Sequence, residues 1–404
     1  MRTLTAIVVA AALAVGVLLG GVLREDPAEA AAPNVAATRA LQQATELQLQ
    51  ARTTGNPELY PRIEAALRRA LRLDADSAAA LRGLAALAAS RHRFDESLEL
   101  AEAARRLEPD VAAVYGLIGD ANLELGRYRR AFAAFDHMAS LKPSASSYAR
   151  TSYARELGGD IAGAIAAMRL AVDASAPVGE PAAWSRTLLG NLLLSDRRLT
   201  EARRSYREAL LLSPRYPAAL AGLGELQLAR GDVHAALPFL RKAARAGAAP
   251  DFAALLGDTA AQAGLRAEAR RAWRQAEELE ELFARHGGGN LLETAEFDLN
   301  HDRNVRSALA RARRGRAERP SVEGDHVLAW ALYKNGLCAE ARGVSLRSLR
   351  LGTLDVDGLY HHSLIERCLG NLAAAREYLD RVGRLDPTYL AAPPSPKQLP
   401  PPTR

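Results

Sequence analysis

A spacing close to 34 residues recurs through most of this 404-residue chain, and it constrains the fold more than any other feature. The unit is clearest from Tyr115 to Pro143. Counted from Ala112 as position 1, Tyr115, Ile118, Gly119, Gly126, Tyr128, Ala131, Phe135, Met138 and Pro143 stand at positions 4, 7, 8, 15, 17, 20, 24, 27 and 32. Comparable units start at Ala78, Ala145, Ala183, Pro217, Pro250, Gly289, Val322 and Val356. A weaker first unit lies near Ala44, with Asn56-Pro57 in its turn. From Ala78 onward the starts are 34, 33, 38, 34, 33, 39, 33 and 34 residues apart. A sustained period of this length marks a stack of supersecondary units, each burying its apolar face on its neighbours.

Every position in the unit has a mechanical reason. Small residues at 8 and 20 let two helices approach backbone to backbone, and a large one at 24 fills the space between successive units. Glycine at 15 closes the first helix in the left-handed conformation, and proline at 32 stops the second. The pattern resembles the tetratricopeptide repeat (TPR) family, which places large residues at 4, 11, 17 and 24 and small ones at 8, 20 and 27. The resemblance covers roughly residues 40 to 390 and implies an all-α, right-handed superhelical solenoid of about ten helix-turn-helix repeats. Composition agrees: 49% of residues are apolar but only 5% aromatic, and alanine makes up much of the difference. Such a chain favours closely packed helices.

The two long spacings divide the array into repeats 1–4 over 44–177, repeats 5–7 over 178–288 and repeats 8–10 over 289–390. Their extra residues are expected in loops, at Ala176–Pro181 and His286–Asn290. Residues 31–43 read as a linker and the start of the first helix. Ahead of them, Arg2 precedes an apolar run from Leu4 to Leu23, and Ala28-Glu29-Ala30 offers a small-x-small cleavage site. Residues 1–30 are therefore a signal peptide or an N-terminal membrane anchor, and both place the array outside the cytoplasmic membrane. The Pro-rich tail 391–404 is expected to be disordered.

No catalytic or cofactor signature appears. Gly287-Gly288-Gly289 lacks the lysine and hydroxyl of a phosphate loop, and there is no nucleophile elbow. His361, His362 and Glu366 are too few for a metal site, so a solvated histidine pair is expected. The net charge of +6 comes almost wholly from arginine, and the run Arg303, Arg306, Arg311, Arg313, Arg314, Arg316 and Arg319 reads as a solvated face. Neither feature indicates nucleic acid. Cys338 opens one second helix and Cys368 closes the next first helix. Two readings stand for them: a disulfide clipping the last two units, or two buried thiols.

The resemblance also implies that ligands dock on the concave wall, mostly positions 2, 5, 9, 12 and 13 of each first helix. That wall presents an acidic stretch, Asp120, Glu124, Tyr153, Glu156, Trp184, Asn191, Glu225, Asp258 and Gln262, followed by an aromatic one, Phe297, Asn300, His326, Trp330, Tyr333, Lys334, Tyr360 and Arg367. The family's carboxylate clamp is missing. Asn191 fits one slot, but Thr187, Leu188, Ala218 and Gly222 stand where its polar and basic residues belong. The expectation is a non-enzymatic scaffold for a protein or peptide. An accessory recognition subunit of an envelope enzyme or transport complex is the alternative.

Overall fold

The structure, a computed structural model, describes residues 34–389, the side chain of Thr53 excepted. Among these residues there are twenty α-helices, a 3-10 turn at Pro57–Leu59 and no strand. The apolar run, the cleavage motif and the Pro-rich tail lie outside the described residues. Within them no helix is long and apolar enough to cross a membrane.

The helices form ten antiparallel pairs. The first five are α1 (Val35–Thr54) with α2 (Tyr60–Leu73), α3 (Ala78–Ser90) with α4 (Phe94–Leu107), α5 (Ala112–Glu124) with α6 (Tyr128–Leu141), α7 (Ala145–Leu157) with α8 (Ile161–Asp173), and α9 (Glu180–Ser195) with α10 (Leu199–Leu212). Next come α11 (Pro217–Ala229) with α12 (Val233–Ala246), α13 (Pro250–Gln262) with α14 (Arg266–Arg285) and α15 (Leu291–Asn300) with α16 (Val305–Glu318). The last two are α17 (Val322–Lys334) with α18 (Cys338–Ser348) and α19 (Val356–Cys368) with α20 (Leu372–Leu385).

The small and large positions of the repeat interlock as the spacing requires. A Cβ on Gly119 would run into the Phe135 ring, one on Gly224 into Leu240, and one on Gly257 into Trp273. Tyr206 is fully buried, and a Cβ on either Gly190 of its own unit or Gly222 of the next would strike its ring. Ala131, Ala202, Ala236 and Ala308, all at position 20, are completely buried. The left-handed turn residue recurs too. Gly126, Gly159, Gly231, Gly264, Gly336 and Gly370 have φ between 67° and 81°. In pairs 2, 5 and 8 the slot is filled by His92, Arg197 and Asp302, whose φ is 56°, 58° and 52°. The next amide, as in Arg127 N–H to the Asn122 carbonyl at 2.8 Å, completes the same helix-ending motif.

The superhelix closes on itself. The turn inside each of pairs 1 to 5 meets the loop that follows pairs 6 to 10, one coil later. Gly55 lies against Ala248, Arg91 against Gly287, Gly126 against Pro320 and Gly159 against Gly352. Arg197 reaches Asp386 at 3.3 Å. Hydrogen bonds cross the same seam: the Val322 amide donates to Tyr128 Oη at 2.6 Å, and Thr353 Oγ1 donates to the Leu157 carbonyl at 2.6 Å.

Three expectations need correction. The second long spacing is taken up mainly by helix, since α14 runs 20 residues where most second helices have 14; the first is shared between a loop and a lengthened α9. The arginine run is not a uniformly solvated face. Arg319 is 6% exposed, bridging Glu124 at 2.8 Å across the coil seam and Glu323 at 3.0 Å on its own coil, because the preceding coil covers that end of α16. The histidine pair is not solvated either, being 4% and 0% exposed. His361 stacks on Trp330 with ring centroids 3.7 Å apart, and His362 Nδ1 meets Ser345 Oγ at 2.9 Å.

Candidate functional site: an acidic chamber within the coil

First helices form the inner wall of the coil, and seven in succession, α7 to α19, contribute to one cavity of about 310 Å³. Tyr153, Glu156 and Leu157 come from α7, Leu194 from α9, Glu225 and Leu228 from α11, and Leu255 and Asp258 from α13. Glu296 follows from α15, Glu323 and His326 from α17, and Asp357 from α19. Leu385, Asp386 and Tyr389, beyond and at the end of α20, line it from the C-terminal side.

Nine lining residues are aspartate or glutamate, while Arg197 and His326 are the basic ones; the chamber therefore attracts cations and repels phosphates. Most of these carboxyls already have partners. Asp258 accepts from Trp273 Nε1 at 2.8 Å and lies 2.7 Å from His301 Nε2. Glu323 pairs with Arg319, Asp386 with Arg197, and Asp357 with the Tyr389 hydroxyl. Asp355 caps α19 and lies 3.3 Å from His326 Nδ1. Burial opposes charge on His326, but Asp355 overcomes it and lifts its pKa to about 9. Its other nitrogen is 3.2 Å from His361 Nδ1; burial, helped by the His326 charge, holds His361 well below the usual histidine range, so it accepts.

Glu156, Glu225 and Glu296 are different. Among the described residues none of the three has a hydrogen-bond or ion-pair partner. Glu225 is 6% exposed, and its buried Oε1 meets no donor. Burial alone raises Glu225 to about 8 and Glu156 to about 7. It also raises Glu296 to about 8, against an opposing pull from His326.

Of the residues expected on the concave wall, Tyr153, Glu156, Glu225, Asp258 and His326 line the chamber. Most of the others are engaged elsewhere. Asp120 pairs with Arg150 at 2.6 Å, and Glu124 with Arg319. Asn191 accepts from Tyr206 Oη at 2.8 Å, and Trp184 is buried within the core of units four to six. Phe297 lies against His301, with centroids 4.2 Å apart. Trp330 donates to Asn300 at 2.9 Å and stacks between Tyr333 and His361. Tyr360 packs edge-on to Tyr389, and Arg367 faces the hydroxyls of Tyr333 and Tyr360. Cys338 and Cys368 form a disulfide, with Cα atoms 6.3 Å apart.

Glu296 escaped the sequence reading because the eighth unit was counted from Gly289. Its left-handed residue is Asp302, one place earlier than that count requires, and the corrected phase moves Glu296 from the helix seam to the inner wall. Asp386 and Tyr389 had no signal, since they follow the last helix, outside the inner-wall positions of a first helix.

Twenty helices in ten interlocked pairs, wound so that the first helices face inward, define a helical-repeat protein. Residues 86–146 and 187–251 match the family model described as Tetratricopeptide repeat. Those stretches are tetratricopeptide repeats, and the same helix-turn-helix unit runs on either side of them; repeats of this family suggest a protein-protein interaction scaffold. No protein of curated function matches it. Similar solved structures include TTC0263, a thermophilic TPR protein in Thermus thermophilus (20% identity, 48% of this chain and 99% of that one, TM-score 0.42). A tetratricopeptide repeat protein from Parabacteroides merdae shows 13% identity over 62% of this chain and 99% of its own, with a TM-score of 0.43. The human IFIT1 dimer with PPP-AAAA shows 13% identity over 89% and 94%, with a TM-score of 0.44.

Proposed function

We propose that this protein is a non-enzymatic scaffold that holds an extended segment of a partner protein in the chamber, outside the cytoplasmic membrane. The observation that carries the reading is the convergence of seven successive first helices on one cavity. At about 310 Å³ it is of the size that takes a drug-sized ligand or a few side chains, too small for a folded domain. The surplus of carboxyls disfavours a nucleic-acid strand, whose affinity comes mainly from phosphate contacts. Export is supported by Arg2, the apolar run Leu4 to Leu23 and the Ala28-Glu29-Ala30 motif, and by a disulfide that suits an oxidising compartment.

A photo-crosslinking residue placed at Tyr153, on the chamber wall, tests this in native envelopes against the same residue at Tyr115, which lies outside the cavity lining. Capture of a protein at 153 and not at 115 is expected. Equal labelling at both positions, or none at 153, refutes the reading. An enzyme or transporter as the captured protein would make the chain an accessory subunit of that complex.

A further inference from the structure

Resting on that reading, we propose that the chamber recognises a basic side chain, lysine or arginine, on the bound peptide segment, and that Glu225 is the carboxylate that receives it, with Glu156 and Glu296 beside it on the wall. Glu225 is only 6% exposed yet has an oxygen without a donor. An unpaired buried carboxyl is unfavourable, and the fold removes that penalty at Asp258, Glu323, Asp357 and Asp386 with internal partners. At Glu225 it does not, and the side chain lines the cavity.

The kind of cation follows from the surroundings. Among the described residues no three His, Cys, Asp or Glu side chains are placed to hold a metal ion. Leu228, Leu255 and Val322 line the same chamber as the carboxyls, and an apolar lining suits the methylene stem of lysine or arginine beside its charged head. Burial holds Glu225 and Glu296 near pKa 8 while the site is empty. An arriving cation favours their ionised forms, so binding releases protons near neutral pH.

The test uses the full chain in detergent and degenerate heptapeptides with lysine, arginine, norleucine or glutamate fixed at the centre. Norleucine keeps the stem of lysine and lacks its charge. Lysine- or arginine-centred pools are expected to bind about tenfold tighter than the norleucine pool, the scale of a hydrogen bond to a charged group. Glu225→Gln should reduce that preference to about twofold or less, leaving norleucine binding unchanged and melting no lower than the parent's. Where Glu225→Gln fails to fold, Glu296→Gln should reduce the preference in the same direction.

Equal binding of the lysine and norleucine pools, or a preference that survives Glu225→Gln, overturns the inference. Binding of pentylammonium as tight as that of the lysine pool would show that the chamber takes free amines and overturn the peptide part. A protein crosslinked at position 153 without basic preference would sink the inference and leave the scaffold reading standing. Loss of both results would remove both.

Discussion

Arg319→Met removes the cation that ties one coil of the superhelix to the next, and its cost is calculable from the neighbours it leaves behind. Arg319 is 6% exposed and reaches two carboxylates, Glu124 at 2.8 Å on the preceding coil and Glu323 at 3.0 Å on its own. Glu323 has a side chain 24% exposed and regains water, so losing that contact costs less than about 1 kcal/mol. Glu124 is 8% exposed and would be left buried without its partner, which by analogy with other broken buried pairs costs about 3–5 kcal/mol. Most of the destabilisation therefore comes from the orphaned carboxylate. Combining Arg319→Met with Glu124→Leu should recover at least half of it, because replacing a buried pair by packed apolar groups is close to neutral. Urea unfolding followed by circular dichroism measures both variants, and small-angle scattering reports whether the coil opens. If Arg319→Met unfolds within about 0.5 kcal/mol of the parent, or the second substitution restores nothing, then the pair does not hold the coils together.

Other expectations follow from the same packing. Ala202→Trp, at a completely buried helix crossing, should cost about 1–3 kcal/mol by overpacking; an unchanged melting curve would contradict the register. Glu225 binds its proton more tightly when folded, since burial raises it from 4.5 to about 8. Stability should consequently fall as pH rises from about 4.5 to 8, by up to about 4–5 kcal/mol at 1.36 kcal/mol per pH unit. Glu225→Gln removes this loss, so its advantage over the parent in urea titrations should grow from pH 5 to pH 9; a constant difference would refute the assignment. The Cys338–Cys368 disulfide spans 30 residues, for which loop closure predicts about 3.5 kcal/mol. Reduction should make the last two pairs exchange amide hydrogens faster than pairs 5 and 6, and uniform protection would count against such a clip.

What could be read from the sequence was what the 34-residue period carries. Gly119 under Phe135 and Gly190 under Tyr206 are contacts at fixed short spacing, and seven of the nine first helices from Ala78 onward begin at the residue counted as position 1. The inner-wall positions of the middle units were legible for the same reason, which is how Tyr153, Glu225 and Asp258 were found. Contacts from one coil to the next were not. Arg319 and Glu124 are 195 residues apart, and no local pattern reports a neighbour at that distance. The aromatic stretch shows the same limit. Trp330 and Tyr333 occupy inward slots on α17, yet His361 from the following first helix covers Trp330 and Asn300 from the preceding one takes its N–H. Helix phase gives the direction in which a side chain leaves the backbone, and its burial depends on what the next unit places there.

An open solenoid tolerates the gain or loss of a unit, because each repeat answers only to its immediate neighbours. Here the turn within each early pair also answers to a loop five pairs further on. Deleting a unit from the middle of the array, such as pair 6, would bring each such turn against the wrong loop, setting Tyr128 and Glu124 opposite residues that belong to another position. Coil contact thus makes the number of repeats a heritable constraint. Lineages of this protein should change length at the ends of the array or within its inter-pair loops, and seldom by whole internal units.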